Sequence, residues 1–308
     1  MSQIARFAAG LLTALVIFGW SAPASANQLY AGLVMDARTN EVLYEDQADA
    51  HRFPASLTKM MTLYMVFEAI ERGELDWDTP LTASRNASRQ PPTRLCLRAG
   101  DTITVEQAVR ALIVQSANDV ATTVAERLAG SEARFAAQMT SRARELGLSD
   151  TRFANASGLP DRRHQTTARD MALLSQAIWN DFAQHYHLFQ TASFSWRNSH
   201  GRNHNRLLDH VDGVDGIKTG YTRASGFNLA TMAERDGRRI IVVVLGGRTA
   251  ASRNEHVAEL IERTYATFAE ADVGTATHVR APLTPTLINT NVVTDTGGED
   301  FGEGDQGE

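Results

Sequence analysis

The sequence predicts an α+β fold: an antiparallel sheet flanked by helices, with an inserted helical cluster. Three observations predict it. Strand-like runs stand at both ends of the main apolar region, helical periodicity fills its middle, and Asp236-Gly237 joins the last two strands as a tight hairpin. Such a sheet must bury at least one face, and helices near both ends of the region can cover it.

The elements follow in order. Leu29–Met35 and Glu41–Tyr44 read as strands around the turn Asp36-Ala37-Arg38-Thr39-Asn40. Pro54-Ala55-Ser56 leads into an apolar-periodic helix from Leu57 to Ile70, stopped by Gly73, so Ser56 falls in or just before its first turn. The stretch from Asp78 to Pro92 is polar and turn-rich. Thr104–Ala129 is mostly helical, opens with a capping box of Thr104 and Gln107, and is interrupted at Ser116-Ala117-Asn118-Asp119. Ser131–Leu146 is a further helix, and Thr167-Ala168-Arg169-Asp170 caps another that reaches about Asp181. Strands are then expected at Ser193–Trp196, Ile217–Tyr221, Phe227–Glu234 and Arg239–Leu245, with a closing helix over Ala258–Phe268.

Three regions emerge. Residues 1–26 have the form of a secretory signal: Arg6, an apolar run from Phe7 to Trp20 too short to span a bilayer comfortably, and the small residues Ala24-Ser25-Ala26. A mature chain is expected to begin near Asn27, outside the inner membrane in the periplasm; a retained anchor is the alternative. Residues 27–269 form the main domain. Residues 270–308 are rich in Gly, Thr and acids, which predicts disorder, and they contain no basic amphipathic helix that would anchor the chain to a membrane.

Composition narrows the function. Net charge is −6, which argues against a general nucleic-acid binder. The single cysteine, Cys96, permits no internal disulfide and no cysteine-rich zinc site; between Leu95 and Leu97 it reads as a small packed apolar residue. Only two lysines, Lys59 and Lys218, stand among 30 basic residues. Arginine serves solvated faces but cannot lose its proton at working pH, so two retained lysines point to sites where an amine is required.

Both lysines fall in motifs. In Ser56-Leu57-Thr58-Lys59 the spacing puts both side chains on one helical face. A serine hydroxyl becomes nucleophilic when a neighbour takes its proton, and a neutral lysine can do so. Bringing lysine from its ordinary pKa near 10.4 toward 7 needs about 4–5 kcal/mol of desolvation and like-charge repulsion. Lys218 is the only other lysine that could supply the repulsion. In the second motif, Ser116-Ala117-Asn118, the hydroxyl could relay a proton to a leaving amine and the Asn118 amide could hold a substrate backbone. Taken alone, the motif reads as a helix cap. The third, Lys218-Thr219-Gly220, lies on a predicted strand after a turn-rich stretch. An ammonium beside a hydroxyl suits a carboxylate, and glycine lets a ligand approach the strand edge. Taken alone, it reads as an exposed edge-strand lysine.

The trio in this order is that of penicillin-binding proteins and class A β-lactamases. The chain resembles the D-alanyl-D-alanine carboxypeptidase family, the low-molecular-mass penicillin-binding proteins (peptidase family S11), over roughly Ala31 to Phe268. Arg52–Lys59, Asn155–Pro160, Thr167–Ala172 and Val214–Thr222 all look like that family's segments. The resemblance implies a β-lactamase/transpeptidase-like fold and no cofactor. It implies release of the terminal D-alanine from peptidoglycan stem pentapeptides through an acyl-enzyme on Ser56. Lys59 would be the base, Ser116 would help proton transfer, and Asn118 would hold the substrate amide. Lys218 and Thr219 would bind the terminal carboxylate, with Arg253, or else Arg248, beside them. The backbone N–H groups of Ser56 and Tyr221, the latter next to Gly220, would form the oxyanion hole. β-Lactams are expected as covalent inhibitors.

Many relatives carry histidine where Tyr221 stands, and many add an all-β domain and an amphipathic anchor. A DD-endopeptidase would use the same residues and stays open. A β-lactamase would need a deacylating glutamate in Glu-x-x-Leu-Asn; Glu145-Leu146-Gly147-Leu148 is a helix end instead. A catalytically dead peptidoglycan binder would lack one of the chemical residues, and none is missing. No Gly-x-Ser-x-Gly elbow supports an α/β-hydrolase. The histidines 185, 187, 200, 204 and 210 stand in no zinc-binding helix and read as half-exposed residues.

Overall fold

The structure is a computed structural model and describes residues 29–273. The expected signal segment and all of the acidic tail beyond residue 273 lie outside the described residues.

The chain opens with a hairpin of β1 (Ala31–Asp36) and β2 (Val42–Asp46). Asp36 Oδ1 builds its turn by accepting the Arg38 and Thr39 N–H groups, each at 2.9 Å. A 3₁₀ turn at Ala55–Leu57 feeds α1 (Thr58–Glu71), so Ser56 stands just before the helix. The stretch after it contains β3 (Pro80–Thr82), which pairs with β4 (Thr102–Thr104). The sequence reading missed this hairpin because three-residue strands carry too little alternation to register.

The helical cluster follows: α2 (Val105–Val114), α3 (Asn118–Ala129), α4 (Glu132–Glu145) and α5 (Ala168–Asp181). Thr104 and Gln107 form the expected capping box on α2. Gly130, at φ 75°, ends α3 in the left-handed region where glycine carries no steric penalty. After a short α6 (Ala183–Tyr186), β5 (Ser193–Trp196) pairs with an unanticipated β6 (Ser199–Arg202). Then β7 (Val214–Thr222), β8 (Gly226–Arg235) and β9 (Arg238–Gly247) complete the sheet, and α7 (Ala250–Val273) closes the domain.

The helix α7 begins earlier than its apolar periodicity predicted. Thr249 Oγ1 accepts the Ser252 N–H at 3.0 Å and starts the helix in a polar turn that shows no hydrophobic pattern. It runs to Val273, the last of the described residues.

The five-stranded sheet is antiparallel throughout, in the order β2-β1-β9-β8-β7. Its central strand β9 is apolar on both faces. Ile240, Val242 and Val244 pack with Val257, Leu260 and Ile261 of α7. Ile241, Val243 and Leu245 alternate to the other side and join the larger core beneath α1, α2, α3 and α5. The strand β7 sits at the sheet's edge, where its outer side meets the turn bearing Ser56.

Candidate active site

Three segments converge on the backbone of Ser56. The side chain of Asn228 on β8 donates to the Phe53 and Pro54 carbonyls at 2.9 and 3.1 Å and accepts the Gly246 N–H at 2.9 Å, fixing the nucleophile segment to the sheet. On β7, a Cβ at Gly220 would lie 2.9 Å from Ser56 N, so only glycine permits this approach. On the opposite side, a Cβ at Gly158 would lie 1.8 Å from the Ala55 carbonyl oxygen. Ala55 itself is held at φ 48°, a strained value for alanine of the kind that marks functional sites.

Lys59 is fully buried on the first turn of α1. Its Nζ lies 3.2 Å from Ser56 Oγ, 2.8 Å from Asn118 Oδ1 and 2.6 Å from the Ser157 carbonyl oxygen. Burial, then repulsion from Lys218, push its pKa well below the ordinary lysine range, against weaker pulls from Asp119 and Glu132. The partners matter as much as the shift. Asn118 Oδ1 and the Ser157 carbonyl accept only. A neutral amine held this way would give its two hydrogens to these acceptors and keep its lone pair for the serine hydroxyl.

The second motif caps nothing. The residue preceding α3 is Ala117, with no side-chain cap bond, which corrects the cap reading of Ser116 and Asn118. Ser116 stands at φ 56°, and its Oγ is buried without a hydrogen-bond partner among the described residues. Asn118 is engaged with Lys59 through Oδ1 and with the Pro91 carbonyl through Nδ2 at 2.9 Å. Behind it, Asp119 accepts the Leu95 and Leu97 N–H groups, each at 3.0 Å, and so draws segment 91–97 onto the start of α3. Leu95 and Leu97 point inward there while Cys96, at φ 60°, is exposed. The expectation of a packed Cys96 is therefore corrected.

The third motif is no ordinary edge either. Lys218 is 2% exposed, and its Nζ donates to the Thr219 carbonyl at 3.1 Å. Burial, then the nearby Arg253 guanidinium, push its pKa down to about 7. Thr219 and Gly220 are buried beside it, and exposed Tyr221 stacks on Phe227 at 4.2 Å between ring centroids. Arg253 lies buried in the first turn of α7, where it donates to the Asn228 carbonyl and to Asn254 Oδ1 at 2.8 Å. Arg248 is exposed.

Several residues at the site escaped the sequence reading. Ser157 contributes through its carbonyl, which no side-chain pattern announces. Asn155 holds that loop: its Oδ1 accepts the Ser157 and Gly158 N–H groups at 3.2 and 2.7 Å, and its Nδ2 donates to the Leu159 carbonyl at 2.9 Å. His164 bonds Thr58 Oγ1 at 2.8 Å beneath the nucleophile helix. His204, although exposed, lies near both lysines, and desolvation, then repulsion from Lys218, Arg206 and Lys59, lowers its pKa. The other histidines serve local contacts, such as His185 with Glu71 and His200 with Ser195.

The model of the family described as D-alanyl-D-alanine carboxypeptidase matches residues 21–249. The chain belongs to the D-alanyl-D-alanine carboxypeptidase family. This family member is 35% identical over 250 residues to D-alanyl-D-alanine carboxypeptidase DacD of Salmonella typhimurium, covering 79% of this chain and 64% of the relative. It is similar in structure to penicillin-binding protein 5 from Haemophilus influenzae, with a TM-score of 0.74 and 30% identity over 77% of this chain and 70% of that one. Penicillin-binding protein D2 from Listeria monocytogenes, solved with ampicillin bound, gives a TM-score of 0.69 and 33% identity over 75% and 95%. The α+β transpeptidase-like fold of this carboxypeptidase family is thus shared.

The family segments also have physical roles. Arg52 pairs its backbone with Thr166 at 2.7 and 2.9 Å, and the Arg169 N–H reaches the Ala48 carbonyl at 3.2 Å. These bonds tie the segment after Ser157 to the one before Ser56.

Proposed function

We propose that the chain is a serine-type D-Ala-D-Ala carboxypeptidase acting on peptidoglycan stem pentapeptides. One observation carries this reading: a buried amine, held on its other sides by two acceptors, stands 3.2 Å from a serine hydroxyl. In this reading Ser56 Oγ attacks the carbonyl between the two D-alanines while its proton passes to Lys59 Nζ. The tetrahedral oxyanion is received by the N–H groups of Ser56 and Tyr221. The C–N bond then breaks, and the leaving D-alanine amine takes a proton from Lys59 through the Ser116 hydroxyl, whose Oγ is otherwise without a partner. Water hydrolyses the acyl-enzyme and restores Ser56. Lys218, Thr219 and Arg253 grip the carboxylate, and Asn118 sets the amine through Oδ1 while the Nδ2 hydrogen not given to the Pro91 carbonyl is left for the substrate amide.

The loop 155–164 beside Lys59 contains no glutamate, and Glu145 pairs with Arg142 on α4 at 2.6 Å, which argues against a deacylating β-lactamase. Penicillin is expected to acylate Ser56 and stay. The export-like form of residues 1–26 supports action in the periplasm, where the substrate lies. The test is intact-mass analysis after incubation with penicillin, with D-alanine release from a pentapeptide measured in parallel. A persistent adduct on wild type but not on Ser56→Ala, with D-alanine released, is expected. Turnover of the drug without an adduct would overturn the reading. Cleavage of a cross-linked dimer without release from pentapeptide would make the chain an endopeptidase.

A further inference from the structure

The chain has a net charge of −6, yet its acids avoid the active site. The segments that border the site, 89–100, 152–164, 187–208, 216–233 and 246–254, contain a single acid, Asp161, and Arg163 holds that carboxylate at 2.7 and 3.0 Å. The acids that flank these segments are taken as well. Asp101 pairs with Arg197 at 2.9 Å, Asp209 pairs with Arg202 at 3.7 Å, and buried Asp119 accepts the Leu95 and Leu97 N–H groups.

Five arginines on the bordering segments are exposed and form no ion pair among the described residues. Arg94 follows Thr93, whose Oγ1 donates to the Ser116 carbonyl at 2.8 Å. Arg162 lies on the loop that supplies the Ser157 carbonyl. Arg206 follows Asn205, whose Nδ2 donates to the Gly216 carbonyl at 3.1 Å, just before Lys218 on β7. Arg223 stands in the turn after β7, close behind Tyr221. Arg248 follows Gly247, the cross-strand partner of Phe227, whose ring stacks on Tyr221. Each border of the site thus presents a positive charge that no carboxylate offsets, and such a rim attracts a polyanion.

The chain supplies a polyanion itself. Residues 295–308 contain six acids and no lysine or arginine. Their reach is sufficient. The helix α7 starts at the site, where Arg253 in its first turn donates to the Asn228 carbonyl. Farther along, the Tyr265 hydroxyl donates to the Ala233 and Arg238 carbonyls at 2.7 and 3.0 Å, around the β8–β9 turn at the other end of the sheet. The 24 residues of α7 rise about 36 Å. Residues 274–294, fully extended, span about 70 Å, enough to carry 295–308 back past the site.

We propose that residues 295–308 dock across this arginine rim of the same chain and compete with carboxylate-bearing ligands for entry to the active site. The contact is electrostatic, so it weakens as salt rises. The docking goes beyond the carboxypeptidase reading and does not depend on it.

Cys96, exposed on the rim beside Arg94 and the only cysteine in the chain, provides the probe. A nitroxide attached to Cys96 of the full chain is expected to broaden the amide resonances of residues 295–308 in about 0.02 M salt. The signals should return in about 0.5 M salt, where the screening length falls to about 4 Å. The triple substitution Arg94→Gln, Arg206→Gln and Arg223→Gln is expected to abolish the broadening. Replacing the six acids by their amides, from Asp295→Asn to Glu308→Gln, should raise the rate of penicillin acylation about threefold in low salt and leave it unchanged in high salt. Absence of broadening, or broadening that survives high salt or the triple substitution, would overturn the docking. So would broadening in an isotope-labelled Cys96→Ala chain mixed with spin-labelled chain, because the segment then reaches a second copy. An unchanged acylation rate in the neutralised chain would overturn the competition. A chain that penicillin does not acylate at all would overturn the carboxypeptidase reading instead, and the broadening would still decide the docking.

Discussion

The start and the middle of β7 treat buried charge in opposite ways. At one end Asp215 is buried against Arg239 at 2.5 Å, with Tyr186 donating to Asp215 at 3.0 Å and Glu234 holding Arg239 from the other side. Three residues on, Lys218 is buried with no carboxylate in contact, and beyond it lies Lys59, equally buried and bonded only to neutral acceptors. At the paired end the partners oppose burial: burial would push Arg239 down, but Asp215 carries the Arg239 pKa above its ordinary value, and burial raises the Asp215 pKa against the pull of Arg239. Around Lys218 and Lys59 no ion pair offsets burial, and the weaker pulls of Asp119 and Glu132 on Lys59 do not reverse it, so both amines are driven toward neutrality. A compensated buried charge holds the strand in place, whereas an uncompensated one stores a pKa shift that chemistry can use.

Removing the amine is the strongest way to break this contrast. Lys59→Met is expected to slow penicillin acylation of Ser56 by about ten-thousand-fold with the fold intact, read by stopped-flow and by circular dichroism. Lys59→Arg should fare little better, since a guanidinium cannot accept the proton. Retention of wild-type acylation by the arginine variant would sink the assignment of Lys59 as base.

At the paired end the loss should appear in stability. Asp215→Ala leaves the buried Arg239 with Glu234 alone and is expected to cost about 3 kcal/mol in urea unfolding. The opposite sign is expected for Lys218→Met, a gain of about 1–3 kcal/mol with loss of activity. The sign follows from linkage. Lys218 has its pKa lowered from 10.5 unfolded to about 7 folded, so the unfolded chain binds the proton more tightly. The gain should be full below about pH 7, shrink as pH rises, and vanish above about 10.5. Equal destabilisation by both substitutions would erase the distinction between the two ends.

The smallest effect concerns the pH profile. Carboxylate binding needs Lys218 charged, so kcat/KM should fall as pH rises through about 7, while protonation of Lys59 sets the acid limb. Arg253→Gln removes the neighbouring cation that lowers Lys218 and should move the alkaline limb upward. An unmoved limb would place Arg253 outside the reach of Lys218.

Much of this site was legible in the residue order. Ser56 and Lys59 share a helical face by their spacing alone, and local rules for caps and hairpins located most of the elements. Where local rules failed, the signal was short or polar, as in β3, β4, β6 and the first turn of α7. Cys96 was misjudged because flanking leucines suggest burial, yet alternation turns the residue between them outward.

The sequence by itself singled out the groups proposed to react, because a chain that retains two lysines among 30 basic residues marks where an amine is needed. Tertiary structure alone decided what those amines became. Their burial, the Ser157 carbonyl that orients Lys59, and the close approach at Gly158 and Gly220 all arise between segments far apart in the chain. A pKa or a lone-pair direction belongs to an environment, and no single segment carries its environment with it.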